Sequence, residues 1–361
     1  SGRRGGKRAV RLPGFRFLNR FRLRVILQNK GAYCMLFIGI LFVNVLLMFG
    51  MMMTPLIEHQ GETVEKSMFS KYQYVMAAPA ETENREAEKY ALRSLEIDND
   101  LKEGVSVYGV EAGSAYLDKA DFPVKEGDVL VSNGYLEKYG LQEGDEITLR
   151  EPFDDDTYTF RIAGSYQYPA GFALFMEKEA FCKFFGEDEG YYTGYFSDEK
   201  LDDLPDEAVA TIITQKDLNI MAEQLMDSMG GVLPLFCRFS VLIYLLILFL
   251  MAKMVIEKNA SAISMVKILG YEDGEISSIY GRATAVVVVV SLLVTVPLSY
   301  EIIRVLYFNM MQRMSGWLPF YVAPDIFWKM PLIGIAAYAV ISPLLMRRIK
   351  RVPMAQALKS E

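Results

Sequence analysis

The sequence has few of the residues that most enzymes and metal sites use. Its 361 residues include one histidine, His59, and three cysteines, Cys34, Cys182 and Cys237. A catalytic triad needs a histidine beside its nucleophile, and a structural zinc site needs several histidine or cysteine ligands. The sequence also lacks the Gly-x-x-x-x-Gly-Lys-Ser/Thr motif that cradles nucleotide phosphates. We therefore expect a chain that is not an enzyme and that holds no metal or cofactor of its own.

Charged residues are also scarce, and apolar residues take their place. Only 23% of the residues are charged, 52% are hydrophobic, and the mean hydropathy is +0.17. This composition is too apolar for a disordered chain and unusual for a soluble globular protein. It predicts a membrane protein.

Long apolar runs predict four membrane-spanning helices. They are expected at 32–53, 233–256, 283–304 and 327–346. At a rise of about 1.5 Å per residue, a helix of about 20 residues crosses a hydrocarbon core of about 30 Å. The fourth run is the shortest and contains Pro331, Gly334 and Pro343, which membrane helices tolerate where neighbouring helices satisfy the freed backbone groups.

Lysine and arginine residues predict the orientation of these helices. Residues 1–31 form a basic segment with ten such residues and no acid, and residues 347–361 form a basic tail. Because positively charged flanks stay in the cytoplasm, both termini are expected there. Residues 54–232 and a short loop at 305–326 are then extracytoplasmic, residues 257–282 are cytoplasmic, and the expected location is a bacterial plasma membrane.

The basic segment does not fit a secretory signal peptide, because it is long and no small-residue cleavage site follows the apolar run. The chain begins Ser-Gly-Arg-Arg, and we interpret it as the carboxy-terminal part of a longer protein.

The large segment at 54–232 is acidic and long enough for one folded domain. It holds 38 acidic and 15 basic residues, a net charge of −23. Hydrophobic patterns predict strands at 72–76, 105–110, 129–132, 146–150, 158–162, 173–176, 191–196 and 208–213. Helices are predicted at 83–95, 134–139, 178–185 and 217–229. The fold class is therefore an α-helical multi-pass membrane protein with four transmembrane helices and an inserted α+β extracytoplasmic domain.

Three features of this domain have simple interpretations. Asp154, Asp155 and Asp156 fall between two predicted strands and are interpreted as a solvated turn, with a calcium site as the alternative. The negative charge favours solubility, and attraction of cationic peptides is the alternative. Cys182 is expected in the core, on an amphipathic helix.

The cytoplasmic segment at 257–282 predicts a helix, a glycine stop and a second helix. Ile263, Val266 and Gly270 recur at helical spacing, and Gly270 suits a left-handed cap that residues with a Cβ avoid. A short amphipathic helix of this kind lies on the membrane interface or docks into a partner's groove.

Two short elements resemble the FtsX-like permease family of ABC transporters, which includes MacB-like permeases. Residues 265–270, Met-Val-Lys-Ile-Leu-Gly, are similar to the family's Leu-Lys-Ala-Leu-Gly element, and Ile276 stands where the family's next helix has an apolar residue. Residues 352–358, Val-Pro-Met-Ala-Gln-Ala-Leu, are similar to its Asp-Pro-Ala-Glu-Ala-Leu ending. Ala262-Ile263 departs from the usual Glu-Ile, which puts an ionic contact there in doubt.

The resemblance implies a permease that transmits the motion of a cytoplasmic ATP-binding cassette ATPase dimer to a MacB-like extracytoplasmic domain. Such a permease would export or extract a hydrophobic or peptide-like molecule, or confer resistance to it. ATP would bind to the separate ATPase subunit, and the chain would pair with a second permease half or with its own copy, as the carboxy-terminal half of a larger permease or as a homodimer. The expected ATPase contacts are Ile263, Val266, Lys267, Leu269 and Gly270.

Alternatives remain open at this stage. The outer domain of a signalling protein would regulate a cell-wall hydrolase or a sensor without transport, and a membrane-anchored enzyme would rely on carboxylates alone. The five residues of the inner helix could instead pack it onto the membrane face. Asn44 and Thr295, polar residues within the spans, are interpreted as contacts between helices.

Overall fold

The chain folds as two units, and two of its long helices have residues in both. The computed structural model describes residues 29–66, 68–117, 122–123, 125–152, 154, 156–214, 216–217 and 231–353. The helical unit comprises Ser1–Met53, Gly231–Val305 and Val322–Glu361, and the sheet unit comprises Thr54–Gly230 and Leu306–Tyr321. Most of the predicted basic segment, nearly all of the predicted helix at 217–229, Asp155 and most of the basic tail lie outside the described residues.

Four long apolar helices contribute to the helical unit among the described residues. The α-helices with described bounds are α1 (Lys30–Lys66), α2 (Asn133–Tyr139), α3 (Lys178–Phe185), α4 (Val232–Lys258), α5 (Ala260–Ile268), α6 (Asp273–Met311) and α7 (Ile326–Lys350). By length and composition α1, α4, α6 and α7 are each able to cross a membrane. This confirms the prediction of four long apolar helices, and with the separate sheet unit it fits a membrane protein with an inserted domain.

Two of these helices extend well beyond the apolar runs. Helix α1 has 37 residues and α6 has 39, because each continues through polar residues that a hydropathy pattern does not mark as helical. The second helix predicted after Gly270 is therefore the beginning of α6, and it continues into the third apolar run without a break.

The long helices pack through one face and present apolar side chains on the other. In α1, Leu36, Ile40 and Leu47 are fully buried at helical spacing, whereas Ile38 and Phe42 are more than half exposed. In α7, a Cβ at Gly334 would lie 2.5 Å from Leu292 of α6, so the missing side chain permits close approach. Apolar residues on all sides are typical of helices that face lipid outside and one another inside.

A buried polar contact also joins two of the long helices. The Asn44 side chain of α1 donates a 2.7 Å hydrogen bond to the Thr295 hydroxyl of α6, and both residues are fully buried. Such bonds hold apolar helices together where no water competes. This confirms the interpretation of both residues as contacts between helices.

In its described residues the sheet unit has nine strands, six of which close into a ring. The strands are β1 (Tyr72–Met76), β2 (Glu88–Ile97), β3 (Gly104–Val110), β4 (Asp128–Ser132), β5 (Glu146–Arg150), β6 (Thr157–Tyr166), β7 (Ala173–Glu177), β8 (Gly194–Ser197) and β9 (Val209–Thr214). The ring runs β3-β7-β4-β6-β5-β2 and returns to β3, with parallel pairs at β3–β7 and β4–β6. Strands β8, β1 and β9 extend the sheet from β2.

The ring encloses the main core of the sheet unit. Each ring strand contributes a fully buried side chain, namely Leu95, Val107, Val131, Leu149, Phe160 and Leu174. Helix α3 adds Phe181 and Cys182 to the same cluster, which confirms Cys182 as a core residue. Closing the ring leaves these six strands with few unpaired edges.

The prediction of a helix at 83–95 is wrong. Strand β2 begins at Glu88, after a turn, and pairs with β3 from Tyr90 to Glu96. The segment is rich in helix-forming Glu, Ala, Lys, Arg and Leu, but pairing with β3 buries Ala91 and Leu95 in the core and overrides that local preference. All eight predicted strands are present, and some of them begin or end at different residues.

The described aspartates within 154–156 lie between two strands, as predicted. Asp154 and Asp156 fall between β5 and β6, which pair as antiparallel neighbours. Among the residues that the structure describes, no group of three or more His, Cys, Asp or Glu side chains is placed to hold a metal ion.

Candidate functional site

The candidate site is the short helix α5, which is separated from α4 by the single residue Asn259. Asn259 is buried, and its side-chain amide donates a 2.7 Å hydrogen bond to the carbonyl oxygen of Val255 at the end of α4. The Asn259 carbonyl oxygen accepts a 2.9 Å bond from the Ile263 amide, in the first turn of α5. Asn29 donates a 2.6 Å bond to the Asn259 side chain. One asparagine therefore fixes the end of one helix and the start of the next.

A glycine cap ends α5. Gly270 has φ +88°, in the left-handed region that side chains with a Cβ avoid. Its amide donates to the Lys267 carbonyl oxygen at 3.0 Å, and the Tyr271 amide donates to the Val266 carbonyl oxygen at 3.4 Å. These two bonds form a Schellman motif. The prediction of a left-handed cap at Gly270 is confirmed.

One face of α5 is anchored to the end of the last long helix. Ser264 and Lys267 are buried, and the Ser264 hydroxyl donates a 3.1 Å hydrogen bond to the carbonyl oxygen of Pro353. The Lys267 ammonium donates to the carbonyl oxygens of Lys350 at 2.8 Å and Val352 at 3.2 Å. The last carbonyls of a helix have no partner within it and carry partial negative charge, so a buried cation stabilises the end of α7.

We expect Lys267→Met to destabilise the helical unit. The substitution leaves the two carbonyl oxygens of Lys350 and Val352 without a charged donor, and charge-assisted hydrogen bonds contribute about 1.5–3 kcal/mol. Thermal unfolding of the purified chain in detergent measures the effect. The matched control is Lys258→Met, an exposed lysine at the end of α4, and equal midpoints for the two variants would contradict the anchoring role.

The opposite face of α5 is apolar and exposed. We define the exposed apolar face as Met265, Ile268, Leu269 and Tyr271, whose exposed fractions are 60%, 55%, 71% and 45%. Residues three and four apart share a helix face, so Met265, Ile268 and Leu269 form one surface. Charged Lys253, Glu257 and Lys258 end α4 before this surface begins, so it lies beyond the apolar length of that helix. A contiguous apolar surface outside the apolar length of a helix marks an interaction site.

The structure divides the five predicted contact residues between the two faces. Ile263 and Lys267 are buried, Val266 is half-buried, and Leu269 and Gly270 are exposed. Contact of any of them with an ATPase stays a prediction. Sequence reasoning missed Met265, Ile268 and Tyr271, because it followed the family motif instead of the helical face on which Met265 and Leu269 fall together.

A second cluster, in the sheet unit, is built around a buried ion pair. The Lys138 ammonium lies 2.6 Å from a carboxylate oxygen of Glu103, and both side chains are at most 2% exposed. The ammonium also donates to the carbonyl oxygens of Met314 at 2.7 Å and Gly316 at 3.1 Å. The Gly316 amide donates a 2.6 Å bond to the same Glu103 oxygen. We call Glu103, Lys138 and residues 314–316 the clamp.

Further contacts complete the clamp. The Tyr139 hydroxyl donates to the second oxygen of Glu103, and burial together with that carboxylate raises the pKa of Tyr139, so the phenol stays protonated. Gln312 donates a 2.6 Å bond to the Lys138 carbonyl oxygen, and the Trp317 indole donates a 3.0 Å bond to Glu137. The clamp therefore joins residues 314–316, which follow α6, to the rest of the sheet unit through a buried network.

A family comparison covers the part of the chain that contains the candidate site. Residues 220–355 match the family described as Probable transporter C-terminal domain, a range that includes α4, α5, α6 and α7. The match supports a transporter family for this chain and, with the four long apolar helices, a transport role at a membrane. No curated protein matches the sequence.

Proposed function

We propose that this chain is the permease component of an ATP-binding cassette transporter of the FtsX-like, MacB-like type. It transmits the motion of a cytoplasmic ATPase dimer to the sheet unit outside, for export or extraction of, or resistance to, a hydrophobic or peptide-like molecule. The observation that carries the proposal is the two-sided helix α5, which is anchored on one face and apolar and exposed on the other.

The anchored face supports transmission of force into the long helices. Helix α5 is joined to α4 through Asn259, to α7 through Ser264 and Lys267, and to α6 by the short link after Gly270. A partner that displaces α5 therefore acts on three of the four long helices at once.

Helix α6 supports transmission to the sheet unit. It begins at Asp273, close to α5 in sequence, and continues without a break to Met311. The clamp then joins the next residues to the rest of the sheet unit through Lys138 and Glu103. A single helix thus joins the segment after α5 to the clamp.

The distribution of charge supports the proposed topology. The basic segment and basic tail favour cytoplasmic termini and a cytoplasmic α5, with the acidic residues 54–232 outside. In this proposal ATP binds to the partner ATPase, in keeping with a 361-residue sequence that contains no phosphate-binding loop. Four spans are too few to enclose a pathway, so the chain pairs with a second permease half or with its own copy.

Co-expression of the chain with its neighbouring genes, followed by co-purification of any ATPase subunit, tests the proposal. We expect Leu269→Asp to reduce the bound ATPase at least tenfold, because it places a charge in the centre of the exposed apolar face. The control, Ser261→Asp, adds the same charge at another exposed position of α5 and should retain the ATPase. Equal retention by both variants would exclude α5 as the docking helix, and a chain that binds no ATPase would instead be a scaffold or sensor.

A further inference from the structure

A cavity of about 290 Å³ opens where α4 and α7 end. Its lining includes Lys253, Ile256, Glu257, Arg348, Arg351 and Pro353. Three cations and one anion thus surround a space that also has an apolar wall. The volume is near the lower end of the range of about 300–1,000 Å³ that is typical of small-ligand sites.

The positive charge of this cavity is only partly compensated. Among the described lining residues Glu257 is the one carboxylate, and its oxygen lies 3.5 Å from the Lys253 ammonium and 4.0 Å from the Arg348 guanidinium. These contacts are longer than the roughly 2.7–2.9 Å of a close charged hydrogen bond. Within the described part of the chain, Arg351 has no carboxylate at ion-pair distance. The lining therefore carries a net positive charge and favours an anion.

The end of α7 would ordinarily oppose an anion, because its last carbonyl oxygens carry partial negative charge. Here the Lys267 ammonium donates hydrogen bonds to the carbonyl oxygens of Lys350 and Val352. The anchoring contact thus also removes the main repulsion from the cavity.

The cavity lies at the end of the apolar length of both helices. Residues 239–252 of α4 and 330–346 of α7 contain no charged side chain, and the lining cations follow at Lys253 and Arg348. If these helices span the bilayer, as the proposed function requires, the cavity lies at the depth of the lipid headgroups, where basic pockets bind anionic lipids.

From this charge, size and depth we infer that the cavity binds the phosphate of an anionic glycerophospholipid. The guanidinium groups of Arg348 and Arg351 and the Lys253 ammonium contact the phosphate oxygens. Ile256 lies beside the glycerol end of the lipid. A zwitterionic headgroup brings a choline cation to the same basic lining and binds less tightly.

Native mass spectrometry of the detergent-purified full chain tests this inference. Phosphatidylglycerol and phosphatidylcholine with identical acyl chains are compared, and we expect at least tenfold tighter binding of phosphatidylglycerol. The double variant Arg348→Gln, Arg351→Gln should lose that preference. The control, Arg313→Gln, removes an exposed arginine of the sheet unit and should keep it. Equal binding of the two lipids by the unmodified chain, or an unchanged preference in the double variant, would overturn the inference.

Two further measurements distinguish lipid binding from misfolding and from binding of a soluble phosphate. Glu257→Gln removes the only carboxylate among the described lining residues and should strengthen phosphatidylglycerol binding several-fold, a gain that misfolding would not produce. Glycerol 3-phosphate at the same concentration should not displace the lipid, and displacement would identify a soluble phosphate as the ligand and overturn the lipid assignment. Because no ATPase is present, failure here is distinguishable from failure of the proposed function.

Discussion

Lys138→Met should lower the free energy of unfolding of the sheet unit by about 3–5 kcal/mol, the usual cost of removing one partner from a buried ion pair. The substitution leaves the Glu103 carboxylate buried at 1% exposure without its cation. It also removes the donor to the carbonyl oxygens of Met314 and Gly316. Urea or thermal unfolding of the purified chain, followed by tryptophan fluorescence, measures the change because Trp317 packs beside the clamp.

Two variants separate the buried pair from a general loss of charge. Lys200→Met removes the lysine of an exposed pair with Asp202 and should leave the unfolding midpoint unchanged, because water screens exposed ion pairs. The double variant Lys138→Met, Glu103→Leu removes both charges and should recover much of the loss. If Lys138→Met and Lys200→Met were equally stable, the clamp would not hold the sheet unit together.

Gly194→Ala should cost at least the upper end of the roughly 1–3 kcal/mol that is typical of overpacked cores. Gly194 lies in β8, and a Cβ there would lie within 3.0 Å of the Tyr74 carbonyl oxygen and of the Tyr90 ring. Neither neighbour is free to move. Tyr74 pairs with both β8 and β9, and the Tyr90 hydroxyl donates a 3.0 Å bond to that same carbonyl oxygen.

Circular dichroism in urea measures the loss of the β2–β8–β1 pairing in this variant. The matched control is Gly190→Ala, in the loop before β8, where a new Cβ meets no atom within 4 Å. A midpoint for Gly194→Ala as high as that of the control would show that β1 and β8 separate without cost.

Local sequence patterns were sufficient to predict the elements whose surroundings repeat regularly along the chain. The long apolar helices are visible as apolar runs because apolar side chains recur on every side of each helix. Strand β5 is visible because its side chains alternate between core and solvent, and the ends of β1 and β5 agree with the predicted ones. Gly270 was predictable because a left-handed cap is a local backbone requirement.

Long-range contacts account for what the sequence did not indicate. Strand β2 has a helical composition and becomes a strand only because β3, β5 and β8 pair with it. Closure of the ring depends on pairings between distant strands, which no single segment encodes. The role of Lys267 was hidden in the same way, because its acceptors at Lys350 and Val352 lie far along the chain.

The clamp was also not visible in the sequence. Glu103 directly precedes β3, and Lys138 lies in α2. Their third partner is the loop that follows α6. Lysine and glutamate are usually surface residues, so their burial follows only from the tertiary contacts that pair them.

The ATPase rate of the reconstituted complex tests the central claim most directly. Nanodiscs containing the unmodified chain, Leu269→Asp or Ser261→Asp are mixed with equal amounts of the ATPase subunit. We predict that the unmodified chain and Ser261→Asp change the rate several-fold relative to the isolated subunit, and that Leu269→Asp leaves the rate at the isolated level. A rate that is the same with the unmodified chain and with Leu269→Asp would contradict the assignment of α5 as the helix that couples this chain to ATP hydrolysis.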